Sequence, residues 1–122
     1  MATLDPKKLA TATMTSADES TQPVSADEAA DLANGLDGAW RIDGTRLTRE
    51  FRFPTFAAAF GLATRIALLA EAQGHHPAME LSWGRLVVSW TTDAIGALSA
   101  NDFIMAAKVD RLVGRGLSLK DT

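Results

Sequence analysis

The chain has 122 residues, no cysteine, and 12 basic against 15 acidic residues, for a net charge of −3. The length fits one domain. The acidic balance argues against a general nucleic-acid binder, which needs surplus Lys and Arg to displace counterions. The missing cysteine excludes a disulfide framework and a thiolate metal site. No apolar run reaches the length of a bilayer span, and the N-terminus lacks the apolar block of a secretory signal. A cytoplasmic protein with no membrane partner is therefore expected. Hydrophobic residues make up 47% of the chain, enough for a packed core, although a domain this small buries a modest share of its surface and gains from self-association.

Residues 1–24 are rich in Thr, Ala, Ser and Asp and carry Pro6 and Pro23. They read as a flexible or loosely docked N-terminal arm. The domain proper is expected over 25–114, followed by a C-terminal tail over 115–122. Its first element opens at Ser25-Ala26-Asp27-Glu28, a capping box in which the Ser oxygen accepts from the Glu28 amide and the Glu side chain reaches back. Ala29, Leu32, Ala33 and Leu36 follow at helical spacing, and Gly35 and Gly38 mark the end. Trp40-Arg41-Ile42 reads as a short strand, and Asp43-Gly44 as a hairpin turn. Leu47, Arg49, Phe51 and Phe53 share one parity of the next strand, with Thr48, Glu50 and Arg52 on the other. The apolar face is impure at Arg49.

Pro54 ends that strand and suits the start of a helix. From Thr55 to Gln73 the sequence is Ala- and Leu-rich. One stripe holds Phe56, Phe60, Ala63, Ala67 and Ala70; a second holds Ala59, Leu62, Ile66 and Leu69. So wide an apolar surface predicts a helix with one face on a sheet and another free to meet a partner subunit. Gly74 suits its C-terminal cap. Met79–Trp83 and Leu86–Thr91 read as strands joined by a Gly84-Arg85 turn. Ser99-Ala100-Asn101-Asp102 opens a last helix, with Asp102 at the capping-box position. Paired strands with intervening helices predict an α+β fold: a four-stranded antiparallel sheet covered by three helices on one face.

Both histidines of the chain, His75 and His76, stand side by side directly after the long helix. Pro77 pushes His76 into an extended conformation. The helix C-terminus puts partial negative charge beside the pair. With Gly84 and Arg85 at the turn, Trp83 faces Leu86. The same pairing carried to the loop sets His76 opposite Asp93. One cluster of His75, His76 and Asp93 is expected, with Asp102 on its rim. Each member also has a plainer reading: solvated loop histidines, a turn aspartate bonding its own backbone, and a helix-capping Asp102. Trp83 and Trp90 read first as core or sheet-face residues. Two His and no Cys make a poor metal site, and no metal or cofactor is expected.

These residues resemble a family. The stretch Leu47-Thr48-Arg49-Glu50-Phe51-Arg52-Phe53-Pro54-Thr55-Phe56 and the run Phe60-Gly61-Leu62-Ala63-Thr64-Arg65-Ile66-Ala67 look like its second strand and central helix. Glu71, three residues, His75-His76-Pro77, five residues and Trp83 match its diagnostic acid, histidine pair, proline and aromatic. Leu98-Ser99, Asn101-Asp102-Phe103 and Ala106-Ala107 look like the start of its last helix. The family is that of the pterin-4a-carbinolamine dehydratases, and the resemblance covers roughly residues 25–112. It implies dehydration of 4a-hydroxytetrahydropterin, formed by aromatic amino-acid hydroxylases, to quinonoid dihydropterin. It implies no metal or cofactor, and a homodimer or homotetramer.

The resemblance assigns acid–base work to His76, pterin positioning or acid–base work to His75, and substrate contacts to Glu71, Pro77, Trp83 and Asp102. The departure is Asp93, which stands after Thr91-Thr92 where the family has a third histidine; Ala97 also replaces a common glycine. A carboxylate is a weaker base than imidazole at neutral pH, so the site is expected to keep its acid and lose base strength. The competing reading is a non-catalytic assembly or binding protein on the same fold, like relatives that resemble Rubisco assembly factors of carboxysomes. A third is an interaction module resembling the family's transcriptional cofactor.

Overall fold

Alternation decides the sheet. Leu47, Arg49 and Phe51 are buried while Arg46 and Arg52 face solvent, with Thr48 and Glu50 half-buried between them. The computed structural model describes residues 4–114. The expected C-terminal tail lies outside the described residues. In chain order these form a 3₁₀ turn Pro6–Thr11, α1 Ala26–Ala33, β1 Arg41–Asp43, β2 Arg46–Arg52, α2 Phe56–Gln73, β3 Ala78–Ser82, β4 Arg85–Trp90, a second 3₁₀ turn Asp93–Ile95, and α3 Ala100–Gly114. The four strands pair antiparallel in the order β1-β2-β4-β3. The fold is α+β, as expected.

The register sets Leu47 beside Trp90, Arg49 beside Val88 and Phe51 beside Leu86. All lie on one face, and the apolar ones among them are fully buried. α2 and α3 pack onto that face. α2 supplies Ala59, Leu62, Ile66 and Ala70; α3 supplies Phe103, Met105, Ala106 and Val109. Each large side chain so buried stabilises the fold by roughly 1.5–3 kcal/mol relative to leaving it in water. Of the two stripes expected on α2, the one through Ala59, Leu62 and Ile66 faces the core. Phe56, Phe60 and Leu68 remain exposed on its outer side.

Arg49 is buried on the apolar face because it has partners there. Its Nη1 lies 2.7 Å from Asp110 Oδ1 on α3, and its guanidinium covers the Phe51 ring at 4.3 Å. Asp110 also accepts from Trp40 Nε1 at 2.7 Å and from the Asp37 amide at 2.8 Å. This knot ties β2, α3 and the segment before β1 together. Burial pushes the Asp110 carboxyl above its ordinary range, against the lowering effect of those donors and of Arg49.

Three expectations need correction. The β3–β4 turn is Trp83-Gly84, with Ser82 opposite Arg85 and Leu81 opposite Leu86, two residues from the register read in the sequence. Gly84 takes φ +65°, and a Cβ there would lie 2.7 Å from the Phe53 carbonyl oxygen. Arg85 instead belongs to β4, where it bonds Glu50 and Glu80. In the first hairpin Asp43 is still paired, opposite Arg46, so Gly44 and Thr45 make the turn.

The described part of the N-terminal arm touches the domain at a few points. Leu9 is buried in the core cluster, Asn101 Nδ2 donates to the Thr15 carbonyl at 2.8 Å, and Lys108 Nζ donates to the Ala10 carbonyl at 3.0 Å. Gly35 meets the arm at Pro6, whose carbonyl oxygen occupies the space a Cβ would need.

Candidate active site at the His-His-Pro loop

α2 ends where the Gly74 amide bonds the Ala70 carbonyl at 2.9 Å. The chain then turns into the extended run that becomes β3. Successive residues of an extended run point to opposite sides, so His75 goes inward and His76 outward. His75 is 8% exposed and its neighbour is on the surface.

His75 lies flat against Trp90, ring centroids 5.7 Å apart and planes 10° from parallel. Its Nε2 sits 2.6 Å from Asp102 Oδ1. Asp102 is fully buried in the first turn of α3. Its other oxygen, Oδ2, accepts from Thr92 Oγ1 at 2.8 Å and from the Ser99 amide at 2.9 Å. The Ser99 and Thr92 hydroxyls are 2.7 Å apart. Thr92 has one proton, and it goes to Asp102, so Ser99 donates to Thr92. One carboxylate thus does two tasks: Oδ2 caps α3, and Oδ1 fixes the ring of His75. With Nε2–H given to Asp102, Nδ1 is the nitrogen of His75 left to act on a ligand.

His76 repeats the pattern on the surface. Its Nε2 lies 2.7 Å from Glu71 Oε1, one turn back on α2. The two histidines are each oriented by a carboxylate, one buried and one exposed. Pro77, half-buried, leads from this pair into β3.

The hydrogen bonds of the two histidines do not run to the carboxylate expected from the sequence. The carboxylate joined to a histidine inside the fold is Asp102, not Asp93. Carried past the ladder, the observed register sets His75 level with Thr92, two residues beyond the end of β4. Both His75 and Thr92 bond Asp102. Asp93 starts the 3₁₀ turn one residue beyond, exposed, and its carbonyl accepts from the Gly96 amide. Among the described residues its side chain bonds neither histidine. Trp83 stands at the β3–β4 turn, 73% exposed. The five residues of β3 place it about 16 Å along the strand from the loop, so it is not brought to the histidines.

Trp90, Thr92 and Ser99 were missed as site members. Trp90 has the parity of Leu86 and Val88, which marks it as inward-facing but not as a bed for an imidazole. The Ser99-x-x-Asp102 spacing gave the cap. The second use of that carboxylate needs the fold. Among the described residues no three His, Cys, Asp or Glu side chains gather as a metal-ion cluster, and no helix is long and apolar enough to cross a membrane.

An α+β domain with a paired-histidine loop between its central helix and a hairpin defines a small class of proteins. Residues 22–112 match the family model described as pterin 4 alpha carbinolamine dehydratase, and the chain belongs to that family. It is 48% identical over 81 residues to a Gloeobacter violaceus protein provisionally named pterin-4-alpha-carbinolamine dehydratase 1, covering 63% of this chain and 70% of the relative. A Chlorobium limicola protein with the same provisional family name is 43% identical over 98 residues, 77% of this chain and 86% of that one.

Among solved structures, a transcriptional coactivator/pterin dehydratase from Brucella melitensis is similar at a TM-score of 0.69 and 29% identity, over 75% of this chain and 98% of that one. A pterin dehydratase-like protein identified as a RuBisCO assembly factor in the alpha-carboxysome is similar at a TM-score of 0.54 and 25% identity, over 62% and 90% of the two chains.

Proposed function

We propose that this protein catalyses the dehydration of 4a-hydroxytetrahydropterin to quinonoid dihydropterin in the cytoplasm, by acid–base catalysis at the His-His-Pro loop and without metal or cofactor. The observation that carries the reading is the pair of adjacent imidazoles, each with Nε2 against its own carboxylate, at 2.6 Å for His75 and 2.7 Å for His76. The reaction breaks the C4a–O bond and removes the N5 proton. His76, at the surface, protonates the departing hydroxyl, which leaves as water. The N5 proton passes to a base, and the C4a–N5 double bond forms. His75, held flat on Trp90, positions the ring system and offers Nδ1 as that base. Glu71 and Asp102 act through the histidines as positioning residues, and Asp93 stands at the rim in the place of a third imidazole.

Chemically generated 4a-hydroxytetrahydropterin provides the direct assay. Dehydration well above the spontaneous rate is expected. A rate equal to the spontaneous one rejects the enzyme reading.

A second reading has its own support. Asp93 in place of a third histidine, together with the likeness to the assembly-factor structure, favours a non-catalytic assembly or binding protein on the same fold. The same assay separates the two. Under either reading the protein works as a homo-oligomer, with Phe56, Phe60 and Leu68 on the outer side of α2 as its contact surface; they are 46%, 52% and 67% exposed. A monomer at high concentration in sedimentation equilibrium overturns that part.

A further inference from the structure

A cleft of about 440 Å³ lies between the docked N-terminal arm, α2 and α3. Arg65, Leu69 and Gln73 recur at spacings of four along one stripe of α2, and Lys108, Arg111 and Leu112 share one stripe of α3. The two stripes face each other across the cleft, and Ala10 of the arm closes its edge. Three cations therefore converge on one recess of a chain whose net charge is −3. Among the described residues no carboxylate lines it. Glu71 is turned to His76, and Asp110, two residues from Lys108, is turned to Arg49. Among the described residues Arg65 and Arg111 form no hydrogen bond or ion pair, and Lys108 spends one donor on the Ala10 carbonyl. Cations of one sign gathered on a recess make a local positive potential that attracts an anion.

We propose that this cleft binds a phosphorylated small molecule. Guanidinium forks on Arg65 and Arg111 match phosphate oxygens in pairs, and Lys108 adds a point charge between them. Leu69 and Leu112 form an apolar wall for the unphosphorylated part. Gln73, half-buried, offers one donor and one acceptor for orientation. The volume falls in the range of small-molecule sites. The wall made by the arm lies before residue 22, where the family match begins, so part of the cleft is built from chain outside that match.

The test is a ¹⁵N NMR titration of the full chain with inorganic pyrophosphate at constant ionic strength. Saturable shifts are expected at the amides of Leu69, Gln73, Lys108, Arg111 and Leu112, with half-saturation at or below about 1 mM. Arg65→Gln/Arg111→Gln, both surface positions, is expected to weaken binding by about tenfold or more while leaving the rest of the spectrum in place. Non-saturating shifts scattered over surface lysines, shifts centred on the His75–His76 loop, or equal affinity in the double variant would each overturn the proposal.

Discussion

Asp102 holds His75 from beneath: Oδ1 stands 2.6 Å from Nε2, and the two side chains are 0% and 9% exposed to solvent. Taking one partner from a buried pair of this kind leaves the other without its hydrogen bond in a medium that solvates it poorly.

Asp102→Asn is therefore expected to cost about 3 kcal/mol of stability, because an amide nitrogen would face one of three donors. Proposed activity should fall by about 100-fold or more. Urea unfolding reads the first effect. A changed pH profile of kcat/KM, measured on the folded fraction, distinguishes misdirection of the imidazole from simple unfolding.

His76→Ala separates chemistry from folding. The ring is exposed and its partner Glu71 more so, so stability should change by no more than about 0.5 kcal/mol. The dehydration rate should drop toward the spontaneous one. His75→Ala, by contrast, should lower both rate and unfolding midpoint. Unchanged dehydration in both variants would remove the loop from the mechanism.

Asp93→His tests the departure from the family pattern. The position is exposed at the start of a 3₁₀ turn, so an imidazole fits without repacking. A higher dehydration rate is expected, together with unchanged thermal stability; an unchanged rate would mean that position 93 takes no part.

The outer face of the sheet should respond to pH. Hydrogen bonds first from Arg85 and then from Arg52 hold the Glu50 carboxyl below its ordinary value of about 4.5. An acid depressed in the folded state stabilises it fully above the unfolded-state value. That contribution is lost as pH falls through the folded-state value. The gap in urea midpoint between the native chain and Glu50→Gln should therefore be widest near neutrality and close on acidification. It should narrow with salt, because the network is solvent-exposed.

Much of the fold was legible because local signals agreed. The Ser25 capping box, with both bonds at 3.1 Å, and the α2 boundaries follow the pattern read from the chain. Partners distant in sequence were not legible. Arg49 looked like a flaw in an apolar face until Asp110, 61 positions on, met it. The hairpin register went astray at one local choice. A turn placed one residue late shifted the pairing by two and so kept every side chain on its correct face, since the strand period is two, yet exchanged the partners at the far end. His75 thereby came level with Thr92, and the carboxylate it meets is Asp102. The arm's contacts were not legible because its composition is polar, and a single buried leucine is a weak signal within it.

The docking of that arm fixes an order of events. Its hydrogen bonds to α3 join Thr15 with Asn101 and Ala10 with Lys108, spans of 86 and 98 residues. Contacts so remote in sequence form only after the intervening chain has closed into place. During synthesis, at about 5–20 residues per second, the arm emerges well before α3, so its seat does not exist until that helix has been made. The arm must wait for a helix translated long after it.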